Sequence, residues 1–216
     1  MLHKTKQINM IESQLKPNNI LSEDILESFL QIKQEDFLNN DTINFSYIDD
    51  NLRIFKNRFL LRPLTFAKLL SSLNLSKQDI ILEVGSSSGY TTAILCNLAK
   101  FVYSIEENNE GKENTINNLK KYNFNNFEVH HKSFREENVL DKKIDKIIIN
   151  GSVNKDPKNF LNLLKDNGIL VCILKSNYNS NIFLYKKINN QFEKIKLSNV
   201  SSPLLINYID KEEFVF

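Results

Sequence analysis

Ile80-Ile81-Leu82-Glu83-Val84-Gly85-Ser86-Ser87-Ser88-Gly89-Tyr90 decides the fold, together with Phe101-Val102-Tyr103-Ser104-Ile105-Glu106 one helical segment later. Residues 80–84 are apolar apart from Glu83 and predict a strand. A loop of small residues follows. Gly85 takes backbone angles closed to other residues and lets a ligand approach the main chain. Gly89 lets the next helix, expected over 90–100, start close against the strand, and that helix offers free N–H groups at its N-terminus. A second strand, 101–105, ends on Glu106. Glu106 stands 21 positions after Gly85, near the roughly 20-residue offset at which a strand-end acid meets a nucleoside ribose. Two carboxylates, one for ribose hydroxyls and one for an ammonium, suit a cationic nucleoside better than a pyrophosphate. Only 5 of the 216 residues are Gly, against a usual share of roughly 7 %. Two of the five fall in this loop, so geometry accounts for them. A strand-turn-helix without ligand is the plainer alternative; strand, loop, helix and acid in this order favour the nucleoside site.

Downstream, strands are expected at 126–130, 146–150 and 169–174, and helices at 109–122 and 156–166. Strands spaced by helices predict an α/β fold, a Rossmann-like and mainly parallel sheet with helices on both faces. The continuous runs Ile147-Ile148-Ile149 and Ile169-Leu170-Val171 fit strands buried on both sides. Asp166-Asn167-Gly168 marks a turn. The C-terminal part, 182–185, 192–197 and 204–208, reads as short antiparallel strands. Upstream, residues 8–38 read as two helices broken at Pro17-Asn18-Asn19, with Ser22 as N-cap of the second. Residues 39–62 are polar and irregular, with Tyr47, Asp49, Asp50, Phe55 and Arg58. Arg62 before Pro63 is extended, and a helix follows from Leu64. The expected division is an N-terminal helical cap with a substrate loop, 1–62, over one catalytic unit, 63–216.

Hydrophobic residues make up 41 % of the chain and charged residues 25 %, which suits a globular protein with a core. A net charge of +2 gives no electrostatic case for nucleic acid or membrane. Cys96 and Cys172 lie in apolar patterns as reduced core residues. Adjacent His130 and His131 have no partner at metal-ligand spacing, so no metal is expected. No apolar run reaches the roughly 18 residues of a membrane span. Met1-Leu2-His3-Lys4-Thr5-Lys6-Gln7 lacks the apolar centre of a signal peptide, which makes the cytoplasm the expected location.

These residues resemble those of the protein-L-isoaspartate O-methyltransferases, a family of class I S-adenosylmethionine-dependent methyltransferases. Met10-Ile11-Glu12-Ser13-Gln14-Leu15 is similar to the family's opening helix. Asp36-Phe37 and Tyr47-Ile48-Asp49 are similar to its Arg-Phe and Tyr-x-Asp steps. Leu82 to Ala93 carries the most specific likeness, in its ending Gly89-Tyr90-Thr91-Thr92-Ala93, and Tyr103-Ser104-Ile105-Glu106 matches the ribose-binding acid. The resemblance implies S-adenosyl-L-methionine as cofactor. It implies a cofactor site at Glu83, Gly85, Ser86, Ser87, Ser88, Gly89, Glu106, Glu107 and Ser133. Glu83 faces the cofactor's amino end or caps the loop amides. Glu107 lies beside the adenosyl group or in solvent. Ser133 meets the adenine edge or is a turn serine.

Four positions depart from the family pattern. Ser87 replaces the mid-loop Gly. Ser133 replaces the acid that reaches adenine. Leu61, in Phe59-Leu60-Leu61-Arg62-Pro63, replaces the active-site Ser. Asn150-Gly151-Ser152-Val153 replaces an Ala-rich segment. Catalytic residues therefore stay unassigned beyond the substrate loop Leu60, Leu61 and Arg62, where Arg62 pairs with a carboxylate or is a surface arginine. The main reading is methyl transfer to isoaspartyl carboxylates of damaged proteins. The alternatives are another acceptor, a small molecule included, and a cofactor-binding protein without catalysis. A dinucleotide dehydrogenase fits less well, because the third glycine of its motif falls on Tyr90. A monomer or weak homodimer is expected.

Overall fold

The computed structural model describes residues 2–55, 57–137, 139–177 and 179–206. The chain opens with α1 (Leu2–Met10), a π turn (Ile11–Leu15) and a 3-10 turn (Lys16–Asn18), then α2 (Glu23–Gln31). Asn19 ends the first piece in a left-handed conformation. Short turns lead to a hairpin, β1 (Leu52–Phe55) and β2 (Arg58–Leu60), and to α3 (Pro63–Leu73). The alternating part comprises β3 (Ile80–Val84), α4 (Tyr90–Leu98), β4 (Phe101–Glu106), α5 (Asn109–Lys121), β5 (Phe127–His131), β6 (Ile144–Val153), α6 (Lys158–Leu161) and β7 (Leu164–Lys175). It closes with β8 (Ser180–Ile188), β9 (Gln191–Asn199) and β10 (Leu204–Ile206).

The main sheet runs β5-β4-β3-β6-β7-β8-β9, parallel from β5 to β7 and antiparallel through β8 and β9. Alternation along each strand sorts its side chains to two faces. Ile81, Val102, Ile148 and Val171 meet α3, α4 and the N-terminal helices, so Met10, Leu15 and Phe29 share that core. Leu82, Val84, Ile105, Ile147 and Ile149 meet Phe134, Phe160 and Leu161 on the other. Phe37 docks the N-terminal segment on the helices, with ring centroids 5.6 Å from Tyr90 and 5.4 Å from Tyr122.

Several local expectations are corrected. The polar stretch 39–62 contains the β1–β2 hairpin, which Asn57 helps to turn at φ 62°. The helix expected over 156–166 is the single turn α6, because Leu164 already pairs with Ile144 of β6. Ser22 stands at the N-cap of α2, but its side chain makes no capping hydrogen bond. β10 runs parallel to β6, with Leu204 opposite Ser152, whereas an antiparallel strand is expected there. The expected strand 204–208 passes outside the described residues after 206.

Candidate functional site

The loop between β3 and α4 needs three left-handed residues: Gly85 at φ 87°, Ser87 at 54° and Gly89 at 91°. Glycine adopts this region without steric cost; a serine there is strained and has to be held. Ser87 is held by its own N–H, which donates to Glu106 Oε2 at 3.1 Å. Gly89 N donates to Ser86 O at 2.8 Å and closes the turn. A Cβ on Gly89 would lie 2.9 Å from the Thr115 backbone, so close approach to α5, and not to the strand, is what demands glycine there. Ser86 Oγ accepts from Thr115 and Ser88 O from Asn118, both on α5. The loop is thus clamped from one side. Ser87 Oγ and Ser88 Oγ are buried without a partner.

Glu83 lies fully buried beneath this loop. Its Oε1 accepts from Thr91 Oγ1 at 2.5 Å and Asn150 Nδ2 at 2.6 Å; its Oε2 accepts from Thr92 and from Ser104 Oγ at 3.0 Å. Burial pushes its carboxyl above the ordinary value, against the four hydrogen bonds that favour the ionised form. Its neighbours account for the sequence Gly89 to Ala93: Thr91 and Thr92 grip the strand-end acid, and Tyr90 packs on Phe37.

Glu106 is equally buried but differently partnered. Arg58 Nε, from the hairpin, sits 2.6 Å from Glu106 Oε1, which also accepts from Asn108 N at 2.9 Å. The guanidinium lies 5.0 Å over the Phe134 ring and 3.4 Å from Glu107 Oε2. Glu107 Oε1 in turn accepts from Ser133 Oγ at 3.0 Å and Phe134 N at 2.7 Å. The structure therefore brings Ser87, Glu106, Glu107 and Ser133 together and adds Arg58 and Phe134. Arg58 carried one signal in the sequence, a cation among polar residues; nothing marked its partner.

The segment before α3 forms the opposite wall. Leu60 and Leu61 are buried. Arg62 is about a quarter exposed; its Nε donates to Thr65 Oγ1 at 2.9 Å, and its Nη1 lies 3.9 Å from Asp49. Leu61, Phe59, Asn150 and Leu205 line a crevice of about 10 Å³, room for one water at most. Leu205 leans on the loop: a Cβ on Gly85 would come within 3.0 Å of its side chain. Asn150 is a polar residue at the end of an all-isoleucine run, marked in the sequence only as part of a segment that departs from the family pattern.

Known proteins resemble this chain over most of its length. The family model described as Protein-L-isoaspartate(D-aspartate) O-methyltransferase matches residues 5–212. A protein-L-isoaspartate O-methyltransferase of Petrotoga mobilis is 27 % identical over 205 residues, covering 92 % of this chain and 95 % of its own. One of Flavobacterium psychrophilum is 30 % identical over 191 residues, covering 86 % and 87 %. A solved structure from Plasmodium falciparum, described as a protein of that name in complex with S-adenosyl-L-homocysteine, has a TM-score of 0.77 over 94 % of this chain and 98 % of that one. At 22 % identity that likeness speaks to the fold alone.

Proposed function

We propose, because the chain belongs to the protein-L-isoaspartate(D-aspartate) O-methyltransferase family, that it methylates a free carboxylate of isoaspartyl residues in proteins, with S-adenosyl-L-methionine as donor. One observation carries the cofactor site: Ser87 Oγ, Ser88 Oγ and Asn150 Oδ1 are buried polar atoms without a partner around one loop. Such atoms are rare in folded proteins, and three of them around one loop suit a polar ligand. The residues fit the cofactor. Glu106 would take the ribose hydroxyls once Arg58 yields its place. Ser133 Oγ and Phe134 N, both donors now spent on Glu107, are the groups that would meet the adenine edge.

When bound, the cofactor would supply a sulfonium methyl for transfer to the acceptor's carboxylate oxygen, the electron pair of the broken carbon–sulfur bond remaining on sulfur. The acceptor oxygen brings its own lone pair, so the chain needs no general base. Its task is to align the acceptor and keep water out. Phe59 and Leu61 supply apolar walls. Leu61 cannot grip the substrate through its side chain, so Arg62, steadied by Thr65 and Asp49, takes the acceptor's carboxylate. In the same reading residues 1–62 cap a catalytic unit at 63–216. The protein works in the cytoplasm, a placement supported by the buried free thiols of Cys96 and Cys172, as a monomer or weak homodimer. Among the described residues no helix is long and apolar enough to cross a membrane.

Calorimetric titration with S-adenosyl-L-homocysteine tests the cofactor site. Wild type is expected to bind and Glu106→Gln to bind about tenfold more weakly. Transfer of labelled methyl to an isoaspartyl peptide, and not to its aspartyl counterpart, tests the acceptor. Absence of binding defeats the cofactor assignment; binding without selective transfer defeats the acceptor.

A further inference from the structure

We propose that Asn150 is a cofactor-binding residue whose side-chain carbonyl accepts a hydrogen bond from the cofactor's α-ammonium group. This rests on the cofactor reading above and assigns a residue to one end of the ligand.

The side-chain amide has a determined orientation. Asn150 Nδ2 lies 2.6 Å from Glu83 Oε1, 3.3 Å from Gly85 O and 3.0 Å from Thr91 Oγ1. Gly85 O accepts only, and Glu83 Oε1 already accepts from Thr91, which spends its hydroxyl proton there. Reversing the amide would set its carbonyl oxygen against a carboxylate and a carbonyl. The oxygen therefore points away from this cluster, buried and without a partner. An amide oxygen accepts only. Its missing partner must be a donor, which excludes the substrate's carboxylate and a thioether sulfur.

Sheet order selects which donor. Glu106 ends β4 and Ser133 follows β5, whereas Asn150 lies on β6, across β3 from both. From β4 to β6 is two strand spacings, roughly 10 Å. A nucleoside seated on Glu106 spans that distance with its amino-acid end, while its base points the other way, toward β5. The donor reaching β6 is then the ammonium. It enters where Leu205 now leans on Gly85 and Gly151, in the crevice that Asn150 shares with Leu61 and Phe59.

The test titrates wild type and Asn150→Leu with S-adenosyl-L-homocysteine and with 5′-methylthioadenosine, which keeps the nucleoside and thioether but lacks the amino-acid end. Asn150→Leu also removes a donor from Glu83 and Gly85, so the expected result is a loss of S-adenosyl-L-homocysteine affinity about tenfold or more greater than any loss of methylthioadenosine affinity, as for a hydrogen bond to a charged group. Thr91→Val disturbs the same Glu83 network without touching Asn150 Oδ1 and is expected to weaken both ligands alike. Equal weakening of both ligands by Asn150→Leu, or of neither, overturns the proposal. If Asn150→Leu does not fold, Asn150→Asp retains an acceptor oxygen and must retain the preference for S-adenosyl-L-homocysteine; loss of that preference overturns it as well. Failure of wild type to bind either compound would instead defeat the cofactor reading itself.

Discussion

Glu83 and Glu106 end neighbouring strands, face the same side of the sheet and are both fully buried, yet they are held in opposite ways. Glu83 accepts only from neutral groups, three hydroxyls and one amide, all on α4, β4 and β6. Glu106 accepts from loop and helix-start N–H groups and from one cation, Arg58, on a two-stranded hairpin that, among the described residues, pairs with no strand of the main sheet. The first acid is part of the scaffold that shapes the glycine loop. The second is compensated by the Arg58 side chain on that hairpin, which under the proposed function would give way to the ribose hydroxyls.

The largest effect should come from removing the scaffold acid. Glu83→Leu orphans donors on three elements and should lower stability by about 4 kcal/mol, read as a fall in the unfolding midpoint that S-adenosyl-L-homocysteine does not reverse. Arg58→Met should come next. It leaves Glu106 buried without its cation, a loss of about 3 kcal/mol in the free protein. Here the ligand should restore part of the loss, because ribose hydroxyls take the vacated acceptor. An Arg58→Met midpoint deficit that is equal with and without ligand would erase the distinction between the two acids. The smallest effect is in pH. Burial holds the Glu83 carboxyl above its ordinary 4.5, so from 4.5 upward the folded chain keeps a proton that the unfolded chain has lost. Stability due to Glu83 is therefore full at lower pH and falls as pH rises through the folded value. Comparing wild type with Glu83→Gln across that range isolates the term, since the amide cannot titrate; parallel curves would show that Glu83 stays ionised.

Much of the site was legible because its chemistry is local. The strand 80–84, the loop with two of the chain's few glycines and the acid at 106 lie within one continuous stretch, and backbone preference and spacing report on them directly. Ser87 was legible as a departure and proves to occupy a left-handed position, which is why a glycine suits it. The hairpin was not legible: it is short, and it lies in a stretch without periodicity. The one-turn α6 was overextended because Asn162 to Leu164 carry a pattern that serves helix and strand equally; pairing with Ile144 decided for the strand.

The sequence by itself determined the parallel α/β sheet, the glycine loop, the family and the two acids, because periodicity and short spacing encode elements whose partners are near in the chain. Only the tertiary structure decided what each acid holds. Arg58 reaches Glu106 from 48 residues upstream, Asn150 reaches Glu83 from 67 residues downstream, and Leu205 closes the loop from the C-terminal strand. Such contacts leave no period in the sequence. They arise where strand ends from distant parts of the chain converge at one edge of the sheet, and there packing, not propensity, chooses the partner.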